Sequence, residues 1–243
     1  MKQLAHLILI TLISFVGIGC NSLSAQQSDS AKVLVFGGTG KLGSDIVKAL
    51  EAEGHQVTVF VRSTSDKSRL AGLKVDYVVG DALEFDSVQA AMSGRRFDVV
   101  VDALERGPNG AEFYAITAQN LARAASAARV KQIILHGSIG AGDSAHVYPV
   151  ASNSGIGKVF RAKSVGEKAV MNSNAKYTII RNGELEPYGT KASGNARLYS
   201  DRDVTGRVTR LALARLTAEC VLKEHCLDQI FHAVDQSLRH DRR

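Results

Sequence analysis

The sequence predicts an α/β fold, a doubly wound parallel sheet in a single domain, and three observations lead to this prediction. Short apolar runs rich in β-branched residues alternate with longer segments of helical spacing, which is typical of βαβ units. The runs are almost continuously apolar, as expected for strands buried on both faces of a parallel sheet. The chain has 243 residues, 45% of them hydrophobic, which is enough for one buried core.

The order of the elements follows from these runs. Because ligands of doubly wound sheets lie beyond the carboxyl ends of the strands, we expect the loops after strands four, five and six to build a substrate pocket. Strands are predicted at 32–36, 56–61, 75–79, 97–101, 131–136 and 176–180, with a short last strand at 229–234. Helices are predicted at 41–54, 85–92, 111–130, 157–173 and near 206–222.

The first 25 residues are predicted to be an export signal. The apolar run at 7–18 would form a helix of about 18 Å, whereas a membrane span needs about 30 Å. "LSA" indicates cleavage after Ala25, whereas "GIGC" is similar to a lipoprotein site that would leave a lipid on Cys20, the only membrane attachment expected. The protein is then periplasmic or lipid-anchored, and it is cytoplasmic if this segment is not a working signal.

The rest of the chain is predicted to be a domain at 31–236 followed by a basic tail at 237–243. The net charge of +6 is spread along the sequence with few aromatic residues between the basic ones, so no nucleic-acid partner is expected. Cys220 and Cys226 are too far apart to bridge on one continuous helix, but a disulfide becomes possible if the helix ends between them. Two free thiols are the open alternative, and no metal site is predicted because His225 is the only nearby partner.

A glycine turn lies between the first strand and the first helix and indicates a Rossmann-type dinucleotide site. Gly37 would permit the tight turn, Gly40 would let the backbone approach a pyrophosphate, and Gly43 would allow helix and strand to pack closely. Amide groups at the start of the helix would face the anion. The residues predicted to hold the dinucleotide here are Gly37, Gly38, Thr39, Gly40, Lys41, Leu42 and Gly43.

The residue at the end of the second strand predicts which dinucleotide is preferred. An acidic residue there binds the ribose of NAD, whereas an arginine suits the 2′-phosphate of NADP. Arg62 occupies this position, so NADP(H) is expected over NAD(H), with an ordinary exposed arginine as the alternative. After the third strand, Asp81 is placed to receive the adenine amino group.

The motifs "GGTGKLG", "VFVR", "VVGDALE", "AKSVGEKAV" and "YTIIRNGEL" together resemble the atypical short-chain dehydrogenase/reductase family, in particular its NAD(P)H-binding, NmrA-like branch. The resemblance runs from about Lys32 to Val234. It implies that Asp81 and Ala82 flank the adenine, that Ala103 and Leu104 line the far side of the cofactor, and that Ser138 and Lys163 lie near the nicotinamide as catalytic candidates.

The sequence departs from that family at the proton donor. The family's reductive chemistry typically uses Ser, Tyr and Lys, with the tyrosine four residues before the lysine. Four residues before Lys163 stands Val159, and Tyr148 could substitute only by folding back from the preceding loop. Lys163 and Glu167 share one helix face, so Lys163 forms either a surface ion pair with Glu167 or a contact with the nicotinamide ribose.

Two further positions carry expectations. His136 is expected to be a packed or cofactor-adjacent residue rather than a catalytic base. Arg181 matches the branch's arginine, but Asn182 replaces the proline that follows, so we expect a looser transition from strand to loop.

Two functions fit these residues. The first is an NADPH-dependent oxidoreductase that transfers hydride to a small acceptor such as a flavin or quinone, since such acceptors do not demand a tyrosine acid. The alternative is a non-catalytic dinucleotide-binding protein, a redox sensor or assembly partner, which the missing tyrosine favours. An exported chain without its cofactor, whose pocket serves another ligand, is the third possibility.

Overall fold

The computed structural model describes residues 30–106, 110–149 and 154–238. The predicted signal peptide, with Cys20, and the last five residues of the predicted basic tail lie outside the described residues. Ten strands are assigned there: β1 Lys32–Phe36, β2 Gln56–Val61, β3 Asp76–Val79, β4 Val99–Asp102, β5 Gln132–Ser138, β6 Lys176–Asn182, β7 Glu184–Leu185, β8 Arg197–Tyr199, β9 Arg207–Val208 and β10 Gln229–Val234. The α-helices are α1 Lys41–Ala52, α2 Phe85–Met92, α3 Glu112–Ala127, α4 Gly155–Met171 and α5 Arg210–Glu219.

Eight strands form one sheet in the order β3-β2-β1-β4-β5-β6-β10-β8, which confirms the predicted doubly wound α/β fold in a single domain. All neighbouring pairs are parallel except β10 and β8. The three strands that the sequence did not predict, β7 to β9, have only two or three residues each. Segments this short carry no periodicity that could identify them.

Two helical layers cover the sheet, and the sequence of β1 shows why its strands are apolar throughout. Val33 and Val35 pack into the core under α1 and α5, whereas Leu34 and Phe36 pack into the core under α2, α3 and α4. Successive side chains of a strand point to opposite faces, so a strand covered on both sides has no polar face to show.

The helices are shorter than predicted where capping residues or left-handed backbone stop them. The side chain of Thr209 accepts a hydrogen bond from the backbone N–H of Ala212 and begins α5 four residues after the predicted start. Arg129 has a φ of 56°, and α3 has already ended two residues before it. No helix in the described ranges combines the length and apolar character needed to cross a membrane.

Cys220 and Cys226 are bonded as a disulfide, so the alternative of two free thiols is wrong. The helix α5 ends at Glu219, which allows the Cα atoms of the two cysteines to come within 5.5 Å. Side chains from β5 and β6 bind the loop that the disulfide closes. Gln132, the first residue of β5, donates to the carbonyl oxygen of Cys220, and Thr178 of β6 donates to that of Cys226. The disulfide therefore lies near the N-terminal ends of these parallel strands, at the opposite end from the glycine turn.

Candidate dinucleotide site

The turn between β1 and α1 is so tight that only glycine fits at two of its positions. Gly37 has a φ of 76°, and a Cβ there would lie 2.6 Å from the carbonyl oxygen of Ala103. A Cβ on Gly43 would lie 2.1 Å from the carbonyl oxygen of Gly37. The turn is closed by a hydrogen bond of 2.9 Å from the Gly40 N–H to that same carbonyl oxygen.

The N-terminus of α1 is left open to a ligand. Gly40 is the N-cap residue, no side chain caps the helix, and its first turn has no acidic residue. The first N–H groups of a helix have no partner within the helix, and the helix dipole makes this end positive. The turn therefore fits the pyrophosphate of a dinucleotide, as the sequence predicts.

A groove of about 800 Å³ opens beside this turn. Two of the predicted residues, Gly38 and Gly43, do not line this groove. They allow the turn to pack closely on its neighbours, since a Cβ on Gly38 would lie 2.6 Å from the side chain of Val59. The groove is lined by these predicted residues: Gly37, Thr39, Gly40, Lys41, Leu42, Arg62, Asp81, Ala82, Ala103 and Leu104. The sequence analysis missed others, among them Glu105, Arg106, Phe113 and Arg210.

The segment after β2 brings basic side chains to the groove. Arg62 is exposed, and its backbone N–H donates to the hydroxyl of Ser65. Arg69 reaches back to the glycine turn, where its Nη1 lies 3.4 Å from the carbonyl oxygen of Thr39. The positive charge at this end of the groove suits an anionic ligand.

Asn120 fixes the loop after β3, although the sequence analysis did not single it out. Its amide nitrogen donates to the carbonyl oxygens of Ala82 at 3.1 Å and Leu83 at 2.9 Å. The carboxylate of Asp81 accepts from the N–H of Leu83 at 2.9 Å. A buried polar residue on the apolar face of α3 is the signal that could have found Asn120, since such residues need hydrogen-bond partners.

Ser138 and Lys163, the two catalytic candidates, are in contact. Ser138 is the last residue of β5, and the Nζ of Lys163 in α4 donates a hydrogen bond of 2.9 Å to its hydroxyl. The same Nζ lies 4.9 Å from the ring centroid of Tyr114. Burial lowers the pKa of Lys163, and the nearby carboxyl groups of Glu105, Asp102 and Glu167 partly oppose this shift.

Asp102, at the end of β4, is a second group that the sequence analysis missed. Burial raises the pKa of its carboxyl group to about 6, although a hydrogen bond from the Leu104 N–H and the charge of Lys163 act in the opposite direction. Asp102, Lys163 and Leu104 line a cavity of about 10 Å³, roughly the space needed for one water. Leu104 also lines the groove, so this cavity and the groove adjoin.

Of the two alternatives for Lys163, the surface ion pair with Glu167 is wrong. Glu167 is buried and binds Arg181 through two hydrogen bonds, Nε to Oε1 at 3.0 Å and Nη2 to Oε2 at 2.8 Å. Arg181, 1% exposed, also binds Asp143, which receives a further bond of 3.2 Å from Arg202. Burial raises the pKa of Asp143, but the two arginines outweigh it and hold this pKa below its usual value. Glu167 thus serves a buried charge network instead of Lys163.

The expected loosening after Arg181 is also absent. Asn182 belongs to β6, pairs in register with Ser138, and accepts a hydrogen bond from the Ile139 N–H. Gly142 gives the arginine its room, because a Cβ there would lie 2.3 Å from Nη2 of Arg181. The charge network takes over the anchoring that a proline would have supplied.

His136 is packed, as expected. Its Nδ1 lies 3.1 Å from the side-chain oxygen of Asn182, and its Nε2 lies 3.0 Å from the hydroxyl of Thr217. Burial lowers the pKa of His136 to about 4, so the imidazole is neutral near pH 7. A buried histidine with both nitrogens in hydrogen bonds has a structural role in the core.

Position 159, where the resemblance places the family's tyrosine, holds an apolar side chain in the structure. Val159 is buried and packs against Ala111 and Tyr114. Tyr148 stacks on Phe160 with ring centroids 6.1 Å apart. Among the residues that the structure describes, no group of three or more His, Cys, Asp or Glu side chains could hold a metal ion.

The strand order, the glycine turn and the groove define a dinucleotide-binding protein of the Rossmann class. The model of the NAD(P)H-binding family matches residues 37–224, and the chain belongs to this family.

Known proteins of the same kind are similar over most of the chain. A 3-diazoavenalumate denitrifying reductase from a Streptomyces species is 32% identical over 179 residues, which are 65% of this chain and 58% of that protein. An anaerobillin reductase from Escherichia coli O157:H7 has a TM-score of 0.73 at 24% identity, covering 86% of this chain and 99% of that one. A short-chain dehydrogenase/reductase from Veillonella parvula in complex with NADP has a TM-score of 0.68 at 14% identity, covering 88% and 98%. The two structures share the fold of this chain.

Proposed function

We propose that the protein is an NADPH-dependent reductase that passes hydride to a small acceptor such as a flavin or quinone. The observation that carries this proposal is the contact between Lys163 and Ser138 beside the groove. These two residues are the catalytic candidates that the family resemblance implies, and their contact supports a reaction at this end of the cofactor.

The residues of the groove have distinct roles in this proposal. The amide groups at the start of α1 bind the pyrophosphate, and Arg62 binds the 2′-phosphate that distinguishes NADPH from NADH. Asp81 and Ala82 flank the adenine, and Ala103 and Leu104 lie along the far side of the cofactor. When bound, the reduced nicotinamide supplies the hydride, and the chain contributes mainly positioning.

The acceptor would enter from the loops that the charge network holds together. Asp143 lies in the segment after β5, and Arg202 lies between β8 and β9. Two relatives are named as reductases of small organic molecules, which supports an acceptor of that size.

The reductase proposal is tested by mixing purified protein with NADPH or NADH and a series of flavins and quinones. We expect NADPH to raise the melting temperature more than NADH, and its absorbance to fall when a suitable acceptor is added. Tight NADPH binding without oxidation by any acceptor contradicts the reductase function. If neither dinucleotide shifts the melting temperature, the proposal that this protein binds a dinucleotide is contradicted as well.

A non-catalytic redox sensor or assembly partner is the second candidate function. Val159 favours it, because this buried valine stands where the family's reductases have their proton donor. Binding of NADPH and NADP would then change the affinity for a partner instead of the redox state of a substrate. The same experiment separates the two functions, since only the reductase consumes NADPH.

We also propose that the protein is exported and folds in an oxidising compartment. The disulfide between Cys220 and Cys226 supports this, since disulfides are rare in reducing compartments. Cell fractionation with intact-mass analysis tests it. We expect a product cleaved after Ala25, or before a lipidated Cys20, with the disulfide formed. A full-length cytoplasmic product with reduced cysteines contradicts the proposal.

A further inference from the structure

The amine of Lys163 is bound in a way that suits proton transfer. Its Nζ donates to the hydroxyl oxygen of Ser138 at 2.9 Å, while the ring of Tyr114 covers it from the side. A hydroxyl that accepts a hydrogen bond from an ammonium still has its own proton to donate to a third group. Lys163 and Ser138 therefore form a two-member chain whose free end is the hydroxyl of Ser138.

We propose that Lys163 is the proton donor of the reduction and acts through the hydroxyl of Ser138. This inference rests on the reductase function proposed above. It gives the reaction a donor that needs no tyrosine at position 159.

The step balances in atoms and electrons. The acceptor gains a hydride, that is one hydrogen with two electrons, from the dihydronicotinamide, which is oxidised. The O–H bond of Ser138 breaks as its proton bonds to the acceptor atom that has gained charge, and a proton moves from Nζ of Lys163 to Oγ. Lys163 is left as a neutral amine and regains its proton from water.

The surroundings of Lys163 favour this role. Burial lowers the pKa of Lys163 and makes its ammonium a stronger acid than that of an exposed lysine, while the nearby carboxyl groups partly oppose this shift. Glu105 acts most strongly on the amine, followed by Asp102, which lines the same small cavity as Lys163. The titratable and charged groups facing Lys163 are Asp102 from β4, Glu105 from the following loop, Tyr114 from α3, His136 from β5, Glu167 from α4 and, through Glu167, Arg181 from β6.

The nearby phenol of Tyr114 is already engaged. Its hydroxyl accepts a hydrogen bond from the backbone N–H of Arg106 and also donates to the carbonyl oxygen of Arg106. The face of its ring, and not its hydroxyl, is what Lys163 contacts. Tyr114 therefore shields the amine of Lys163 from water.

The kinetic test uses Lys163→Arg, Lys163→Met and Ser138→Ala, with Lys168→Met on the exposed side of α4 as the matched control. Arginine can hold a ribose hydroxyl but cannot give up its proton near neutral pH. We expect kcat to fall about 100-fold in the first three variants, which is typical for loss of a general acid. NADPH affinity should change less than about threefold in Lys163→Arg, a small shift on the scale of binding energies. A normal kcat in Lys163→Arg, or a loss confined to NADPH affinity, overturns the inference. Tyr148→Phe is measured as well, and a kcat that falls in this variant alone also overturns it.

A titration independent of activity tests the charge state. In protein labelled with ¹³C-lysine, the Cε chemical shift of Lys163 reports its protonation, and the signal is assigned by its loss in Lys163→Met. We expect a midpoint below the ordinary value of about 10.4 and a lower one still in Asp102→Asn, because a neutral amide no longer stabilises the ammonium. An ordinary midpoint overturns the inference, and a midpoint that Asp102→Asn leaves unchanged contradicts an effect of Asp102 on the amine.

The two proposals fail in different ways. Wild-type protein that binds NADPH but reduces no acceptor overturns the reductase function and this inference with it. Wild-type protein that reduces acceptors while Lys163 titrates as an ordinary lysine overturns only the inference. Both measurements are made on the wild-type protein, and a variant is needed only to assign the signal of Lys163.

Discussion

Two regions at the carboxyl ends of the parallel strands are built in different ways: the dinucleotide half, at β1 and β2, and the charged half, at β5 and β6. At the ends of β1 and β2, the site consists of glycines, helix amide groups and exposed arginines that lie within about one βαβ unit of each other. At the ends of β5 and β6, it consists of charged side chains from distant segments. The buried pair of Glu167 and Arg181 is joined there to the exposed Asp143, which also binds the partly buried Arg202. The first half is a local backbone shape, and the second is a set of long-range ion pairs.

This difference predicts different responses to substitution. Changes in the dinucleotide half should act on binding or on a tight turn, whereas changes in the charged half should act on the folded state as a whole. An unpaired buried charge is among the most costly defects in a protein.

The largest expected effect is that of Glu167→Ala. It leaves the buried guanidinium of Arg181 without its two-bond partner, so we expect the free energy of unfolding to fall by about 3–5 kcal/mol. Urea unfolding measures this. The matched control is Glu219→Ala, which breaks the exposed i, i+4 pair with Arg215 and should cost less than about 0.5 kcal/mol. Equal losses in the two variants would remove the contrast between the halves.

The second prediction concerns Asp102 and pH. Its folded-state pKa of about 6 lies above the ordinary value of 3.8, so the folded state binds more protons than the unfolded state in this window. The contribution of Asp102 to stability is present below about pH 4 and is lost as the pH rises through about 6.

Asp102→Asn lacks this titration. Between about pH 4 and pH 7 we therefore expect it to gain about 3 kcal/mol in unfolding free energy relative to wild type. His136 titrates in the same range with the opposite slope, but it is present in both proteins and largely cancels in the difference. Urea unfolding of both proteins at the two pH values measures this gain. If the difference in unfolding free energy between Asp102→Asn and wild type is the same at both pH values, the raised pKa of Asp102 is contradicted.

The third prediction concerns two glycines of the turn, one needed for stability and the other mainly for NADPH binding. Gly43→Ala forces a Cβ against the carbonyl oxygen of Gly37, so we expect it to cost about 1–3 kcal/mol of stability and to weaken NADPH binding. Gly40→Ala has an ordinary negative φ, and its nearest contact is 3.1 Å. It should weaken binding about tenfold, or about 1.4 kcal/mol, with little loss of stability. Thermal unfolding and NADPH titration of both variants decide this, and equal stability losses would contradict it.

The smallest effect is expected for Arg62→Ser. Loss of its guanidinium should weaken NADPH binding about tenfold and leave NADH binding unchanged, since only NADPH has the 2′-phosphate. Arg96→Ser, on a separate surface formed with Ala124 and Ala128, is the control and should change neither affinity. If Arg62→Ser weakens NADPH and NADH binding equally, Arg62 contributes only general positive charge.

The sequence predicts the fold around the glycine turn well because its determinants are local. The spacing of Gly37 to Gly43 and the position of Arg62 follow from neighbours in the chain, and so do the long strands and helices. The charged half is not predicted, because Glu167 lies four residues from Lys163 and 14 from its true partner Arg181. Spacing on a helix favoured the nearer cation, whereas burial and the two-bond geometry of arginine decided the pairing. Asp102 escaped attention because a single polar residue at the end of an apolar run carries no periodicity.

Helix α3 has a mechanical consequence for both ends of the groove. Asn120 holds the loop at the predicted adenine end, and Tyr114 holds the loop after β4 and covers Lys163. The two residues lie about 9 Å apart along one rigid helix, at about 1.5 Å per residue. A small slide or tilt of α3 would therefore move the contacts at both ends of the groove together.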